Sequence, residues 1–103
     1  MEITGVKVFP RREQRVKAFA EVTFDNEFVV KNLRIIQGRE RVFVAMPSRK
    51  RKDGSHEDVA HPITNELRQK IEKVVLDEYN RIMTEREERR KERQQNQPEE
   101  QQG

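Results

Sequence analysis

The sequence predicts an α+β fold, in which an antiparallel sheet of about five strands carries a C-terminal helix on one face. Two patterns lead to this prediction. Short apolar segments with a period of two occupy the first 60 residues, separated by turn residues such as Pro10 and Gly38. After Pro62, apolar side chains recur every three or four residues, which is the spacing of an amphipathic helix. We therefore expect the strands to precede a single helix.

The composition indicates a small core. The chain has 103 residues, of which 32% are hydrophobic and 40% are charged. Small domains bury a limited fraction of their surface and often gain stability by associating. Because some of the predicted strands are apolar on both faces, a second copy would have apolar surface to bury. We therefore expect one folded domain that acts as a homodimer.

The composition also disfavours several classes of protein. The chain has no cysteine, which excludes disulfides and thiolate metal sites. Its first residues enter a strand pattern directly, without the features of a signal peptide. No apolar run approaches the roughly 18 residues needed to span a bilayer. We expect a cytoplasmic protein with no membrane span.

The first two strands follow from their alternation. The first is expected over residues 2–9 and ends at Pro10. The second, over residues 15–24, has the clearest period of two, with its even-numbered side chains directed inward. These inward residues are Val16, Ala18, Ala20, Val22 and Phe24. Asp25 and Asn26 tolerate left-handed backbone angles, so they predict a hairpin turn.

The third strand is expected over residues 28–37, and Gly38 ends it. Its alternation fails beyond Asn32, which predicts a bulge or bend near that residue. The next segment, residues 42–46, is apolar at consecutive positions. Such a segment is typical of a strand covered on both faces, so we expect it in the middle of the sheet.

A basic hairpin, residues 47–60, is predicted next. Pro47 lacks a backbone N–H, so regular pairing should stop there. Asp53 and Gly54 then turn the chain toward a returning strand over residues 57–60. Between them lie four consecutive cations, Arg49, Lys50, Arg51 and Lys52. We expect these cations at a projecting tip, where a concentrated positive field attracts a polyanion although the net charge of the chain is only +3.

The same four charges have a second interpretation. Adjacent cations with no interleaved aromatic are also acceptable in a solvated turn. If they bind nucleic acid, phosphate contacts are expected rather than stacking, with Arg49 or Arg51 suited to a bidentate contact to guanine. The residues alone leave both interpretations open.

The helix is predicted to begin at Thr64, which can cap it. Its apolar stripe should cover one face of the sheet. The stripe consists of Leu67, Ile71, Val74, Val75, Tyr79, Ile82 and Met83. The folded domain is therefore expected over residues 1–84, and residues 85–103 as a charged helical extension with a disordered tail. Arginine-rich segments also bind nucleic acid, but the interleaved glutamates favour a solvated tail.

Catalytic, cofactor and metal sites are not expected. The candidates are His56 and His61, beside Glu57 and Asp58. In an extended segment two histidines five positions apart point to opposite faces, so they cannot easily share a metal ion or a proton. His61 before Pro62 is better explained as a partner of its local backbone. The glycines are isolated and form no phosphate-binding loop, and no nucleophile motif is present.

Several segments resemble a known family. They are EITGVKVFP, FDNEFVVKNLRIIQG, AMPS before the basic cluster, and DG followed by DVAHPI. Together they resemble the SpoVG family of small bacterial proteins, stage V sporulation protein G, over about residues 1–83. The resemblance implies a dimeric regulator of septation and gene expression that binds DNA and RNA through residues 49–52. The alternative is a septation regulator that binds an acidic protein partner without touching nucleic acid.

This chain departs from the common family pattern within the basic hairpin. It has Lys52 where proline is frequent, His56 where an aromatic residue is frequent, and Glu57 where a basic residue is frequent. These departures leave the expected fold unchanged. They concern the segment that would select a target sequence.

Overall fold

A computed structural model of the chain describes residues 1–11 and 13–102, with side chains described up to residue 92. In this part of the chain six strands precede one helix, which confirms the α+β class. The elements are β1 (Ile3–Pro10), β2 (Val16–Phe24), β3 (Phe28–Gln37), β4 (Val42–Ala45), β5 (Ser48–Lys50), β6 (His56–Asp58) and α1 (Asn65–Gln102). The first four strands form an antiparallel sheet in the order β1-β2-β3-β4, while β5 and β6 form a separate two-stranded sheet.

The main sheet is smaller than the five strands expected. Pro47 has no N–H to donate to a ladder, and the chain leaves the sheet after Ala45. Pairing then resumes at Ser48, one residue after the proline, rather than giving way to a long turn. Arg49 and Lys50 consequently lie in a strand, whereas the sequence placed all four cations at the tip.

β4 lies at an edge of the sheet, which corrects the prediction of a central position. Val44 on its inner face is buried as expected, whereas Phe43 and Ala45 on its outer face are only half-buried. The prediction failed because cover on the faces says nothing about the edges, where backbone groups pair. The outer edge of β4 has no partner strand in the described part of the chain.

The core lies between the inner face of the main sheet and α1. As predicted, the even-numbered residues of β2 from Ala18, which is fully buried, to Phe24, which is 5% exposed, point into it. Val16, which was also predicted to point inward, is only half-buried at the start of the strand and lies outside the core. The other buried members are Val8, Leu33, Ile35, Val44, Met46, Ile71 and Val75. Alternate side chains therefore point to the opposite, outer face of the sheet.

The predicted turn and bulge are both confirmed. Asp25 and Asn26 adopt left-handed backbone angles, with φ of 52° and 55°. Asn32 has a φ of 66°, and it lies where β3 has one residue more than β2 between paired positions. This extra residue shifts the alternation, so that Leu33 faces the core.

The helix begins as predicted. The hydroxyl of Thr64 accepts a hydrogen bond from the N–H of Leu67 at 3.2 Å, which caps the first turn. Within the predicted stripe Ile71 and Val75 are buried, whereas Met83 at its end is 38% exposed. No helix in the described residues is long and apolar enough to cross a membrane.

The helix extends beyond the stripe, and the side chains of residues 84–92 are exposed. The domain boundary expected at residue 84 stays a prediction. The disordered tail also stays a prediction, because it falls largely on residues 93–103, whose side chains lie outside the described part.

Removing residues 85–103 is expected to leave folding nearly unchanged. The described side chains in this segment bury nothing, and the Arg81–Glu85 ion pair, at 2.8 Å, is exposed. An exposed helical pair of this kind contributes little to stability, because solvent screens it. Thermal unfolding followed by circular dichroism should show a Tm within about 5 °C of the full chain. A larger fall would show that the extension packs on the domain.

Candidate nucleic-acid interface

The basic hairpin stands apart from the main sheet and is held by short hydrogen bonds. At its base the N–H of Val59 donates to the carbonyl oxygen of Pro47 at 2.7 Å. The guanidinium of Arg34, on β3, donates to the hydroxyl of Ser48 at 3.1 Å and so ties the hairpin to the sheet. The register pairs Ser48 with Asp58, Arg49 with Glu57 and Lys50 with His56.

The tip of the hairpin, residues 51–55, has a defined shape. The N–H of Arg51 donates to the carbonyl oxygen of Ser55 at 2.7 Å, and Gly54 adopts a φ of 93° that favours glycine. The carboxylate of Asp53 accepts hydrogen bonds from the hydroxyl of Ser55 at 2.6 Å and from its N–H at 2.9 Å. These bonds lower the pKa of Asp53. The tip therefore holds a carboxylate beside its cations.

Glu57 binds two of the four predicted cations. Arg49 lies opposite Glu57 in the register, and Arg51 follows two positions later, so both reach the same carboxylate. Arg49 Nε lies 2.7 Å from Glu57 Oε1, and a terminal nitrogen of Arg51 lies 2.9 Å from Glu57 Oε2. Each arginine thus has part of its planar fork engaged within the hairpin.

The two lysines are placed differently. Lys50 lies opposite His56, Lys52 lies in the tip, and both are exposed. Among the described residues, no carboxylate forms an ion pair with either ammonium group. The run of four cations is therefore divided into two arginines held by Glu57 and two exposed lysines.

The charge of the hairpin is smaller than the run of cations suggests. Three carboxylates, those of Asp53, Glu57 and Asp58, accompany the four cations, which leaves a net charge of +1 with His56 neutral. The role of Glu57 was missed at the sequence level, where pairing was expected to stop at Pro47. A loop placed at residues 51–55 would have set Arg49 opposite Glu57, and the pair would then have been predictable.

The two histidines are not brought together as a metal site. His61 Nδ1 donates to the carbonyl oxygen of Pro62 at 3.1 Å, the local backbone contact that the sequence predicts. His56 lies on β6 within the hairpin. Within residues 1–11 and 13–92, no three histidine or acidic side chains cluster in a way that could hold a metal ion.

Comparison with known proteins identifies one family. The SpoVG family profile matches residues 1–81. Three similar proteins carry the name "Putative septation protein SpoVG". The protein of Bdellovibrio bacteriovorus (strain HD100) is 51% identical over 81 residues, which are 79% of this chain and 75% of the relative. Those of Anaeromyxobacter sp. (strain Fw109-5) and Myxococcus xanthus (strain DK1622) are 47% and 46% identical over 79% of this chain, covering 84% and 82% of their own lengths.

Proposed function

Because this chain belongs to the SpoVG family, we propose that it is a non-enzymatic regulator of septation and gene expression that binds nucleic acid as a dimer. The basic hairpin is the contact surface. The observation that carries the proposal is the exposure of Lys50 and Lys52 on a hairpin that stands outside the main sheet. Ammonium groups placed in this way can replace the counterions of phosphates, which DNA and RNA share.

Binding is tested by fluorescence anisotropy with labelled duplex DNA and labelled RNA over a series of salt concentrations. We expect binding to both, with an affinity that falls linearly in log units as log salt rises. Polyglutamate of equal charge serves as the comparison ligand. If polyglutamate binds and neither nucleic acid does, the proposal is wrong.

A second candidate function is a septation regulator that binds an acidic protein instead. The net charge of only +1 on the hairpin favours it, because a weak local field attracts a highly charged duplex less strongly than four unpaired cations would. The polyglutamate comparison separates the two candidates.

Two features support the dimer. The outer edge of β4 presents backbone N–H and C=O groups with no partner strand among the described residues. Large apolar side chains are also exposed, among them Phe28 at 64%, Val59 at 65% and Ile63 at 91%. A second copy that covers such groups would bury apolar surface and bring two basic hairpins into one assembly.

We expect sedimentation equilibrium to give twice the chain mass of 12.4 kDa at micromolar concentration. The melting temperature should also rise with protein concentration, because association stabilises the folded chain by mass action. A species of the chain mass whose melting temperature does not change with concentration would contradict the dimer.

Replacing Glu57 with glutamine is expected to strengthen binding. The change releases Arg49 and Arg51 from their carboxylate and raises the net charge of the hairpin by one. If one further cation per protomer then reaches a phosphate, the salt slope measured with duplex DNA should steepen by roughly 2 for a dimer. Asp58→Asn is the matched control, because it raises the charge equally and releases no arginine. If both variants strengthen binding equally, the net charge of the hairpin determines the affinity and the release of the arginines does not.

A further inference from the structure

The outer face of the main sheet carries an exposed aromatic pair. Phe9 of β1 lies directly across from Phe19 of β2. Their neighbours Val8 and Ala18 are buried beneath α1, so the two rings point to the opposite face. Phe9 is 43% exposed, and Phe19 is half-buried. Two adjacent rings at a solvent-exposed position offer a flat apolar surface.

Polar groups surround this pair. An open concavity of about 420 Å³ is lined by Phe9, Phe19, Arg11, Glu21 and Asn32. The guanidinium carbon of Arg11 lies over the Phe19 ring, 5.7 Å from its centre, so a cation–π contact covers that ring and places a positive charge beside Phe9. The bulge of β3 places the exposed Asn32 at the same concavity, and its amide can both donate and accept hydrogen bonds. An aromatic surface with a cation and an amide beside it is the chemistry that holds an unstacked nucleobase.

A larger groove begins at Arg11 and runs between the β1–β2 connection and the distal part of α1. Its volume is about 770 Å³, and its cationic lining consists of Arg11, Lys17, Arg86 and Arg90. In the described part of the chain none of these four cations forms an ion pair. Glu13 and Glu87 also line the groove, which leaves a net charge of +2. Arg11 lines both the groove and the concavity, so it lies where the two adjoin.

We propose that the concavity and the groove form one binding path for single-stranded nucleic acid. A base stacks on the exposed Phe9, beside the Arg11–Phe19 pair, and the neighbouring phosphates follow Arg11 into the groove toward Arg86 and Arg90. A single strand is required, because the bases of a duplex stack on one another and present no face to a protein ring.

The inference rests on the proposed nucleic-acid function but uses a different surface from the basic hairpin. Two of its arginines, Arg86 and Arg90, lie beyond the residues 1–81 that match the family. Family membership therefore does not imply this path. The aromatic pair favours a nucleic acid over an acidic peptide, since a peptide would use the cations of the groove and leave the rings uncovered.

Phe9 gives a direct test, because the chain contains no tryptophan. In the full-length Phe9→Trp variant, excitation at 295 nm reports on this position alone. Titration with a ten-residue oligothymidylate should quench this fluorescence, with the same midpoint as the anisotropy of a labelled copy. Compared with Phe9→Trp, which keeps an aromatic ring at this position, Phe9→Ala should weaken the affinity by about 5- to 150-fold, the range measured for single stacking contacts.

The groove is tested by substitutions on the exposed helix surface, which bury nothing and so do not threaten the fold. Arg86→Gln with Arg90→Gln should flatten the salt slope for the oligothymidylate by roughly 1. The matched control is Arg68→Gln with Lys70→Gln, which removes two exposed cations of the same helix outside the groove and should leave the slope unchanged. This pair of variants carries the test even if Phe9→Ala fails to fold.

The outcomes separate the inference from the proposed function. If the oligonucleotide binds, but the fluorescence of the Phe9→Trp variant and the slope of the Arg86/Arg90 variant do not change, the path is wrong and the hairpin function survives. If polyglutamate gives the same slope change without quenching, the groove binds an acidic chain and the single-strand inference is overturned. If the full-length protein binds neither duplex nor single strand, both proposals fail together.

Discussion

Replacing Arg49, Lys50, Arg51 and Lys52 together with serine is expected to remove most of the affinity for duplex DNA. If Lys50 and Lys52 contact phosphates in both protomers of a dimer, about four counterions are displaced, and the original protein should show a salt slope of roughly −4. The quadruple variant should show a slope near zero. Each contact contributes roughly 0.9 log unit per tenfold change in salt, so four contacts contribute about 3.6 log units between 1 M and 0.1 M. If the two proteins bind equally at 1 M salt, the variant should lose about 4,000-fold in affinity at 0.1 M.

Two double variants show which cations act. Lys50→Ser with Lys52→Ser should flatten the slope almost completely, because these ammonium groups are exposed and without ion pairs in the described structure. Arg49→Ser with Arg51→Ser should weaken binding but keep most of the slope. If the arginine double variant instead loses the salt slope and the lysine double variant keeps it, nucleic acid displaces Glu57 from Arg49 and Arg51 on binding. Unchanged affinity and slope in the quadruple variant would remove the hairpin from the function.

The quadruple variant should still fold, so its loss of binding can be interpreted. All four side chains are exposed, and the ion pairs to Glu57 involve arginines that are 74% and 54% exposed. Exposed pairs contribute about 0.2–1 kcal/mol each. Urea unfolding should therefore place the variant within about 2 kcal/mol of the original protein.

Leu33→Ala is expected to have the largest effect on stability. Leu33 is 1% exposed and lies directly after the bulge at Asn32, within a paired strand. The strand cannot shift as a free chain end would, so truncating Leu33 leaves a cavity. Truncations of this kind lower the free energy of unfolding by about 2–5 kcal/mol. A domain of this size has a total stability of about 5–15 kcal/mol, so the loss is a large fraction of it. We expect Tm to fall by at least about 10 °C.

The matched control is Ile63→Ala, because Ile63 is 91% exposed in the single chain. At protein concentrations low enough to keep the chain monomeric, it should change the free energy of unfolding by less than about 0.5 kcal/mol. A large effect at Ile63 would indicate that a second copy buries it, which the concentration dependence of Tm would then confirm. A loss below about 1 kcal/mol at Leu33 would contradict the core arrangement.

Much of the fold could be predicted because its signals are local. The period of two in β2, the turn at Asp25 and Asn26, and the cap at Thr64 each depend on residues adjacent in sequence. The bulge at Asn32 was also visible, since it interrupts the alternation of its own strand.

Sequence patterns could not predict that β4 lies at an edge of the sheet or that the hairpin forms a sheet of its own. Apolar residues at successive positions report cover above and below a strand, not which strands pair beside it. Pro47 was correctly read as the end of a ladder, but nothing in its chemistry prevents a new ladder from starting at Ser48.

In the candidate sites too, local features could be predicted from the sequence and contacts between distant residues could not. The run of cations was obvious in the sequence, but their division between Glu57 and solvent depends on a pairing register. The groove beside α1 combines Arg11 with Arg90, which are separated by most of the chain. No periodicity connects such residues, so only the folded structure brings them together.

The separation of the basic hairpin from the main sheet has a consequence for how this protein can change. None of residues 48–58, all of which the structure describes, contributes a side chain to the hydrophobic core. The segment can therefore be exchanged for that of a relative, or redesigned, while the packing between α1 and the main sheet stays as it is. Under the proposed function, target preference and folding are therefore encoded in different residues, and each can evolve without the other.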